Sequence, residues 1–151
     1  MSFFAPVDPD FESRVRVSFA RQQVMVTLGA TLHSVAPGEI EIHMPFRADL
    51  TQQHGFLHAG IVTTIVDSAC GYAAFTLMPP DTGVLTVEYK VNFMTPAQGS
   101  LMIARGHVIK AGRTISVCTG EVFAVQDGKE KLAVVMQATV ITVRDRPDVT
   151  T

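Results

Sequence analysis

The sequence predicts an α+β fold in which one long apolar helix packs on a face of an antiparallel sheet. Two observations carry this expectation. Residues 58–77 form an apolar helical run that Pro79-Pro80 terminate. After it come four strand-like segments, with Ala111-Gly112 and Asp127-Gly128 as hairpin turns between the last three. Sequential hairpins build antiparallel sheets, and a lone apolar helix must bury its surface against one.

The elements follow in order. "PDFESRVRVSFARQQVM" predicts a helix with Asp10 as its cap, Glu12 in its first turn, and Phe11, Val15 and Phe19 on one face. "VMVTLGATLHSV" and "GEIEIHMPF" predict two strands joined at "APGE". In the second, Ile40, Ile42 and Met44 alternate with Glu41 and His43. Residues 47–57 form a loop before the long helix. "GVLTVEYKVNFMTPA" is the cleanest alternating strand. It sets Val87, Tyr89, Val91 and Phe93 against Thr86, Glu88, Lys90 and Asn92. "SLMIARGHVIK", "RTISVCTGEVFAVQ" and "KLAVVMQATVITV" complete the sheet. One domain spans 1–151, with its core at about 24–143 and loose termini at 1–9 and 144–151.

Bulk properties exclude several functions. The 151 residues are 47% hydrophobic and 17% charged, enough for a substantial core. A net charge of -2 without a basic run argues against nucleic-acid binding. Cys70 and Cys118 form no C-x-x-C pattern and read as buried, reduced thiols of a cytoplasmic protein. The N-terminus has neither a basic n-region nor a long h-region. Residues 59–78 have the length of a membrane span, but Asp67 at their centre is costly in a bilayer, so they read as a core helix.

The chemistry gathers on that helix. Its first backbone N–H groups have no internal partner and carry partial positive charge, a site for an oxyanion of acyl transfer. Ala59 and Gly60 are small enough to let a substrate approach. Asp67 lies too deep to cap the helix. It reads either as a carboxylate satisfied by neighbouring hydroxyls or a partner subunit, or as a general base or nucleophile at a pocket wall. His54 and His58 have H-x-x-x-H spacing, but Gly55 and the expected loop argue against a shared metal. His33, His43 and His107 read as ordinary, partly exposed strand residues.

Taken together, "QQHGFLHAG" at residues 52–60, Asp67, and the strand "LTVEYKVNFMTPAQG" resemble the two signatures of the hotdog-fold thioesterases, most closely the phenylacetic-acid-degradation type. The resemblance covers about residues 36–143. The family's Asn position holds Gln52 and its middle glycine holds Ala59. The resemblance implies a curved antiparallel sheet wrapped around one long helix. It implies an acyl-CoA thioesterase that uses no metal or organic cofactor, with Asp67 as base or nucleophile. Backbone N–H of Ala59, with Gly60, would polarise the thioester carbonyl. His58 would orient loop or carbonyl, Gln52 would contact the carbonyl or the water, and Thr86 would hold that water. It further implies a site formed between two subunits of a homodimer, as a dimer of dimers.

The substrate contacts expected beside these are Gly55, Phe56 and Arg113. Phe56, Tyr72, Phe75 and Met78 are either acyl-pocket or core residues. Arg105, Lys110 and Arg113 either meet the coenzyme's phosphates or face solvent. The acyl group could be aryl or medium-chain. The rival functions are a non-catalytic acyl-CoA binding module, a hotdog hydratase or dehydratase using His58, and a structural oligomer without ligand.

Overall fold

The computed structural model describes residues 3–149. Helix α1 (Phe11–Arg21) and a short α2 (Gln23–Leu28) precede strands β1 (Thr31–Ala36) and β2 (Glu39–Pro45). A 3-10 turn (Ala48–Leu50) leads to α3 (Ala59–Phe75). Strands β3 (Gly83–Phe93), β4 (Leu101–Lys110), β5 (Ile115–Gln126) and β6 (Lys129–Val143) follow. All pairings are antiparallel, and the strand order across the sheet is β1-β2-β4-β5-β6-β3. The curved sheet packs around α3, the hotdog arrangement that the resemblance implied.

Burial explains why a helix so apolar belongs here. From Ser68 to Phe75 every residue of α3 is buried. Ile40, Ile42 and Met44 of β2 point into the same core, as their alternation requires. The approach is closest over Gly106 and Gly120, which pair across β4 and β5. A Cβ at 106 would lie 2.3 Å from the Ala69 carbonyl oxygen, and one at 120 only 2.5 Å from Val66 Cγ2. Two facing glycines thus form a trough in which the helix rests on bare backbone. No helix among the described residues is long and apolar enough to cross a membrane.

Four local expectations are corrected. The strand expected to open at "VMVTL" is instead α2. Gly29 at φ 66° ends that helix in a left-handed cap, so β1 begins only at Thr31. The β-branched run lost to a local helix whose Met25 and Leu28 reach the core. Asp10 makes no side-chain cap. Its own N–H donates to Asp8 Oδ1 at 2.9 Å.

The termini are also not loose where described. Phe4 packs against the core, and Asp8 is buried beside Arg14. At the other end a short turn (Pro147–Val149) lays the Val149 carbonyl on Gly83, where a Cβ would sit 1.7 Å from that oxygen. Finally, alternation in β3 does not create a buried face. A bulge between Thr86 and Glu88 shifts the register, and Val87, Tyr89 and Phe93 remain 56%, 45% and 44% exposed. The cause is position: β3 is an edge strand, paired only with β6.

Arg14 locks α1 to the far end of α3. Its guanidinium donates to the carbonyl oxygens of Pro79 (2.8 Å), Phe75 (3.2 Å) and Met78 (2.7 Å). It also lies 4.4 Å over the Phe75 ring. Nε is 3.0 Å from Asp8 Oδ2, an ion contact without a directed hydrogen bond. A cation there satisfies unpaired C-terminal carbonyls and complements the helix dipole.

Candidate active site

His58 is the N-cap of α3, with extended backbone (φ -60°, ψ 136°). Its Nδ1 accepts the N–H of Gly60 at 2.9 Å. A neutral imidazole with Nδ1 accepting carries its proton on Nε2, so His58 presents an N–H donor on its exposed side. The same bond corrects the expected role of Gly60, because its N–H is already engaged. The N–H groups of Ile61 and Val62 both donate to the His58 carbonyl. Ala59 N–H makes no hydrogen bond among the described residues and is the free donor at this end.

The preceding loop is a tight turn. Gln52 N–H donates to the Phe56 carbonyl at 2.8 Å, and Gly55 N–H to the Gln52 carbonyl at 3.1 Å. Gly55 sits at φ 85°, where glycine is favoured, so its part is to make the turn. Gln52 Oε1 accepts the N–H of His54, which leaves the Gln52 amide N–H₂ as the group to offer a ligand. Gln52, Phe56, His58 and Ala59 line a cavity of about 450 Å³ with Phe93 and Met94. Gln53 is exposed and lies outside it, so of the two glutamines Gln52 faces this space.

Asp67 lines a different cavity. The eight residues from Ala59 amount to about 12 Å along the axis and about 80° around it. Asp67 is partly buried, and its Oδ1 accepts from Thr86 Oγ1 at 2.8 Å. Burial pushes its carboxyl above the ordinary aspartate value, and the Thr86 hydrogen bond offsets part of that rise. The cavity around it is about 220 Å³ and is walled by α3, α1, the start of β3 and Val149. Ser18, Gln22 and Tyr72 contribute polar atoms to it, and Phe75 an apolar surface.

Of the sequence-predicted residues, the fold therefore joins Gln52, Phe56, His58 and Ala59 in one place and Asp67, Thr86, Tyr72 and Phe75 in another. It separates Arg113, which is exposed in a third cavity past the C-terminal end of α3, with Met78 and Arg144. Arg105 lies outside both cavities and bridges Glu41 and Glu130 on the outer sheet face. Ser18 and Gln22 were missed. Their signal is the break at Gln22 between two helical segments, which turns its side chain toward the cavity.

Two other clusters bear on the chemistry. Cys70 and Cys118 are buried, and burial raises both thiols, that of Cys118 to about 12, so neither supplies a thiolate near neutral pH. On the outer sheet face His33, Glu41 and His43 come together, the one such group among the described residues. His43 Nε2 is 2.6 Å and His33 Nε2 3.8 Å from Glu41 Oε1. The two rings stack at 4.0 Å and 8°, so their nitrogen lone pairs run parallel instead of converging, and Arg105 holds the other carboxylate oxygen. This arrangement is an ion-pair network more than a coordination shell.

Comparison with known proteins gives a consistent result. The family model for the thioesterase superfamily matches residues 54–131. A thioesterase family protein of Silicibacter pomeroyi is 52% identical, with a TM-score of 0.88 over 89% of this chain and 98% of that one. Human acyl-coenzyme A thioesterase 13 is 32% identical over 87 residues, 57% of this chain. The match spans only 61% of that protein's length, and 62% of that of a Halobacterium salinarum relative with a provisional esterase name. The E. coli PaaI protein, from the phenylacetic acid degradation operon, shares the fold (TM-score 0.79 over 89% of this chain and 94% of that one) at 16% identity.

Proposed function

Since the chain belongs to the thioesterase superfamily, we propose that it hydrolyses an acyl-CoA thioester to the free acid and CoA, with Asp67 as general base. The observation that carries this reading is the pairing of a partly buried carboxylate, held by Thr86, with a free N–H at the start of the same helix. A carboxylate with poor solvation is a stronger base, and a fixed N–H is an oxyanion donor.

Asp67 takes a proton from water as the water oxygen bonds to the thioester carbon. The carbonyl oxygen becomes an oxyanion, which Ala59 N–H stabilises. Nε2–H of His58 and the Gln52 amide lie beside Ala59 to orient the carbonyl. Collapse breaks the C–S bond, and the proton on Asp67 passes to the departing thiolate.

Within one chain the base and the donor are two helical turns apart, so one copy offers half a site at the start of α3 and the other half at its middle. We therefore assign the missing halves to a second copy. The unpaired edge of β3, with Leu85, Val87, Tyr89, Phe93 and Met94 exposed, is the surface that a partner would cover. A further pairing of dimers is consistent with the resemblance.

The test is release of free thiol from a panel of acyl-CoAs, beside the Asp67→Asn variant. At least one aryl- or medium-chain substrate is hydrolysed, and the variant is slower by ~100-fold or more. Thermal stabilisation by acyl-CoAs without hydrolysis would favour a binding module instead. A single turnover in ¹⁸O water places the label in the product acid if water attacks directly. Label in the Asp67 side chain would mean that Asp67 is the nucleophile.

A further inference from the structure

The edge strand β3 touches both cavities. Its first residues, Gly83, Val84 and Thr86, wall the cavity at Asp67. Its last, Phe93, walls the cavity at Ala59, with Met94 just beyond. Two copies that pair antiparallel along β3 bring the start of one strand beside the end of the other. Which walls meet depends on the register, because a slip of two residues carries one strand about 7 Å along its neighbour.

The two faces of β3 restrict that register. Val91 packs against the core, and Tyr89 and Phe93 alternate with it on the same face. Glu88, Lys90 and Asn92 line a groove on the other face with Thr119 and Gln137. Directly opposite residues of an antiparallel pair share a face, so a two-fold pairing can slip only in steps of two residues. Each step moves the axis by one residue. With Glu88 on the axis, Glu88 faces its own copy. With Lys90 on the axis, Lys90 does the same. Only with Tyr89 on the axis does Glu88 of each copy face Lys90 of the other. These two are the only charged residues of β3. Thr139 Oγ1 donates to Glu88 Oε1 at 2.9 Å, and Oε2 has no partner among the described residues. Lys90 makes no ion pair among them.

Resting on the shared site proposed above, we infer that Glu88 and Lys90 set the register of self-pairing along β3. Their two crossed pairs hold Tyr89 on the two-fold axis, and like charges penalise the neighbouring registers. Beyond the axis the bulge between Thr86 and Glu88 takes up one residue, so Phe93 falls opposite the partner's Val84. The Ala59 cavity of one copy then opens beside the Asp67 cavity of the other. Glu88 and Lys90 line neither cavity. They are positioning residues that decide which halves of the site meet.

The experiment exchanges the charges. Glu88→Lys and Lys90→Glu each set like charges at both crossings, and each should weaken self-association by ~10-fold or more in sedimentation. Mixing the two variants restores opposite charges at both crossings. With one variant labelled with ¹⁵N, native mass spectrometry should find about nine-tenths of the dimers mixed, against about half for random pairing. The double exchange Glu88→Lys/Lys90→Glu should associate as the unmodified protein does, which separates charge from a damaged fold or the lost Thr139 bond. Tyr89→Cys should form a disulfide with its own copy under mild oxidant, since residues on the axis face themselves with Cα atoms about 5 Å apart. Glu88→Cys and Lys90→Cys, about 8 Å from their own copies, should not. Random mixing, a double exchange that stays monomeric, or self-cross-linking at 88 or 90 in place of 89 refutes the register. Thiol release from acyl-CoA should be lost in each single exchange and return in the mixture. A mixed dimer that stays inactive beside an active unmodified protein refutes the link to the site. If association and cross-linking behave as stated but the unmodified protein hydrolyses no acyl-CoA, the register stands and the thioesterase reading fails.

Discussion

Replacing Arg14 by methionine isolates the link between α1 and the end of α3. The substitution keeps a long apolar stem but deletes the guanidinium. It removes three charge-assisted hydrogen bonds, to the carbonyls of Phe75, Met78 and Pro79. Such bonds contribute about 1.5–3 kcal/mol each in favourable cases, part of which water regains for carbonyls at a partly open helix end. It also leaves Asp8 without its counter-charge at a site where the two side chains are only 11% and 10% exposed. Breaking one partner of a buried pair costs about 3–5 kcal/mol. We expect a loss of about 3–5 kcal/mol. At about 2–4 °C per kcal/mol for a chain of this size, that is a melting temperature lower by about 6–20 °C. The assay is urea unfolding followed by circular dichroism at fixed protein concentration, since association would shift the midpoint. The double variant Arg14→Met/Asp8→Asn should lose less than the sum of the singles, with a coupling of about 1 kcal/mol or more. A cost under about 1 kcal/mol for Arg14→Met, or strict additivity, would refute the clamp.

Other outcomes follow from the site. Ala59→Pro removes one N–H at the first helical position, where proline is tolerated, and His58 already has the extended backbone that a following proline demands. Hydrolysis should fall by ~100-fold or more with little change in melting temperature. The rate should rise with pH as Asp67 loses its proton, with a midpoint above the ordinary value of 3.8, and Thr86→Val should move that midpoint higher by deleting the bond that holds it down. Because the folded state raises this carboxyl, the native chain binds more protons than the unfolded one just above pH 3.8. Stability is then lost as pH rises through the folded value. Asp67→Asn should flatten that slope and be no less stable than the unmodified protein at neutral pH, as differential scanning calorimetry would read. Tyr89→Lys on the open edge of β3 should yield a monomer by light scattering and abolish hydrolysis together. An active monomer would overturn the shared site.

Much of the fold was legible because its largest element announces itself. The run after His58 is too apolar for a surface helix and carries an acid that a membrane would reject. The turns at Asp127-Gly128 and Ala111-Gly112 fixed the hairpins. Alternation misled where burial depends on neighbours outside the strand. In β3 the pattern around Val87 and Tyr89 is regular, yet the sheet ends there. "VMVTL" failed for a local reason, since Gly29 closes a short helix before the strand begins. In the site, Asp67, Thr86, His58 and Ala59 were visible as motif residues. That Gly60 spends its N–H on His58 was not, because a capping bond depends on a side-chain rotamer. Ser18 and Gln22 lie some 45 to 50 residues from Asp67 in sequence, and only the docking of α1 brings them near.

The glycine trough beneath α3 has a mechanical consequence. Where side chains separate a helix from a sheet, rotamer changes can cushion small displacements. At Gly106 there is no such padding, and the strand meets the helix backbone at Ala69; at Gly120 the strand contributes no side chain, and Val66 and Cys70 of the helix fill the gap. The acid therefore stands on a rigid floor and cannot sink or rise to suit a larger acyl group. Whatever accommodation the cavity makes must come from its roof, the α1–α2 junction and the chain near Val149. Variants that tune substrate size without loss of rate should accordingly map to that roof and leave the floor untouched.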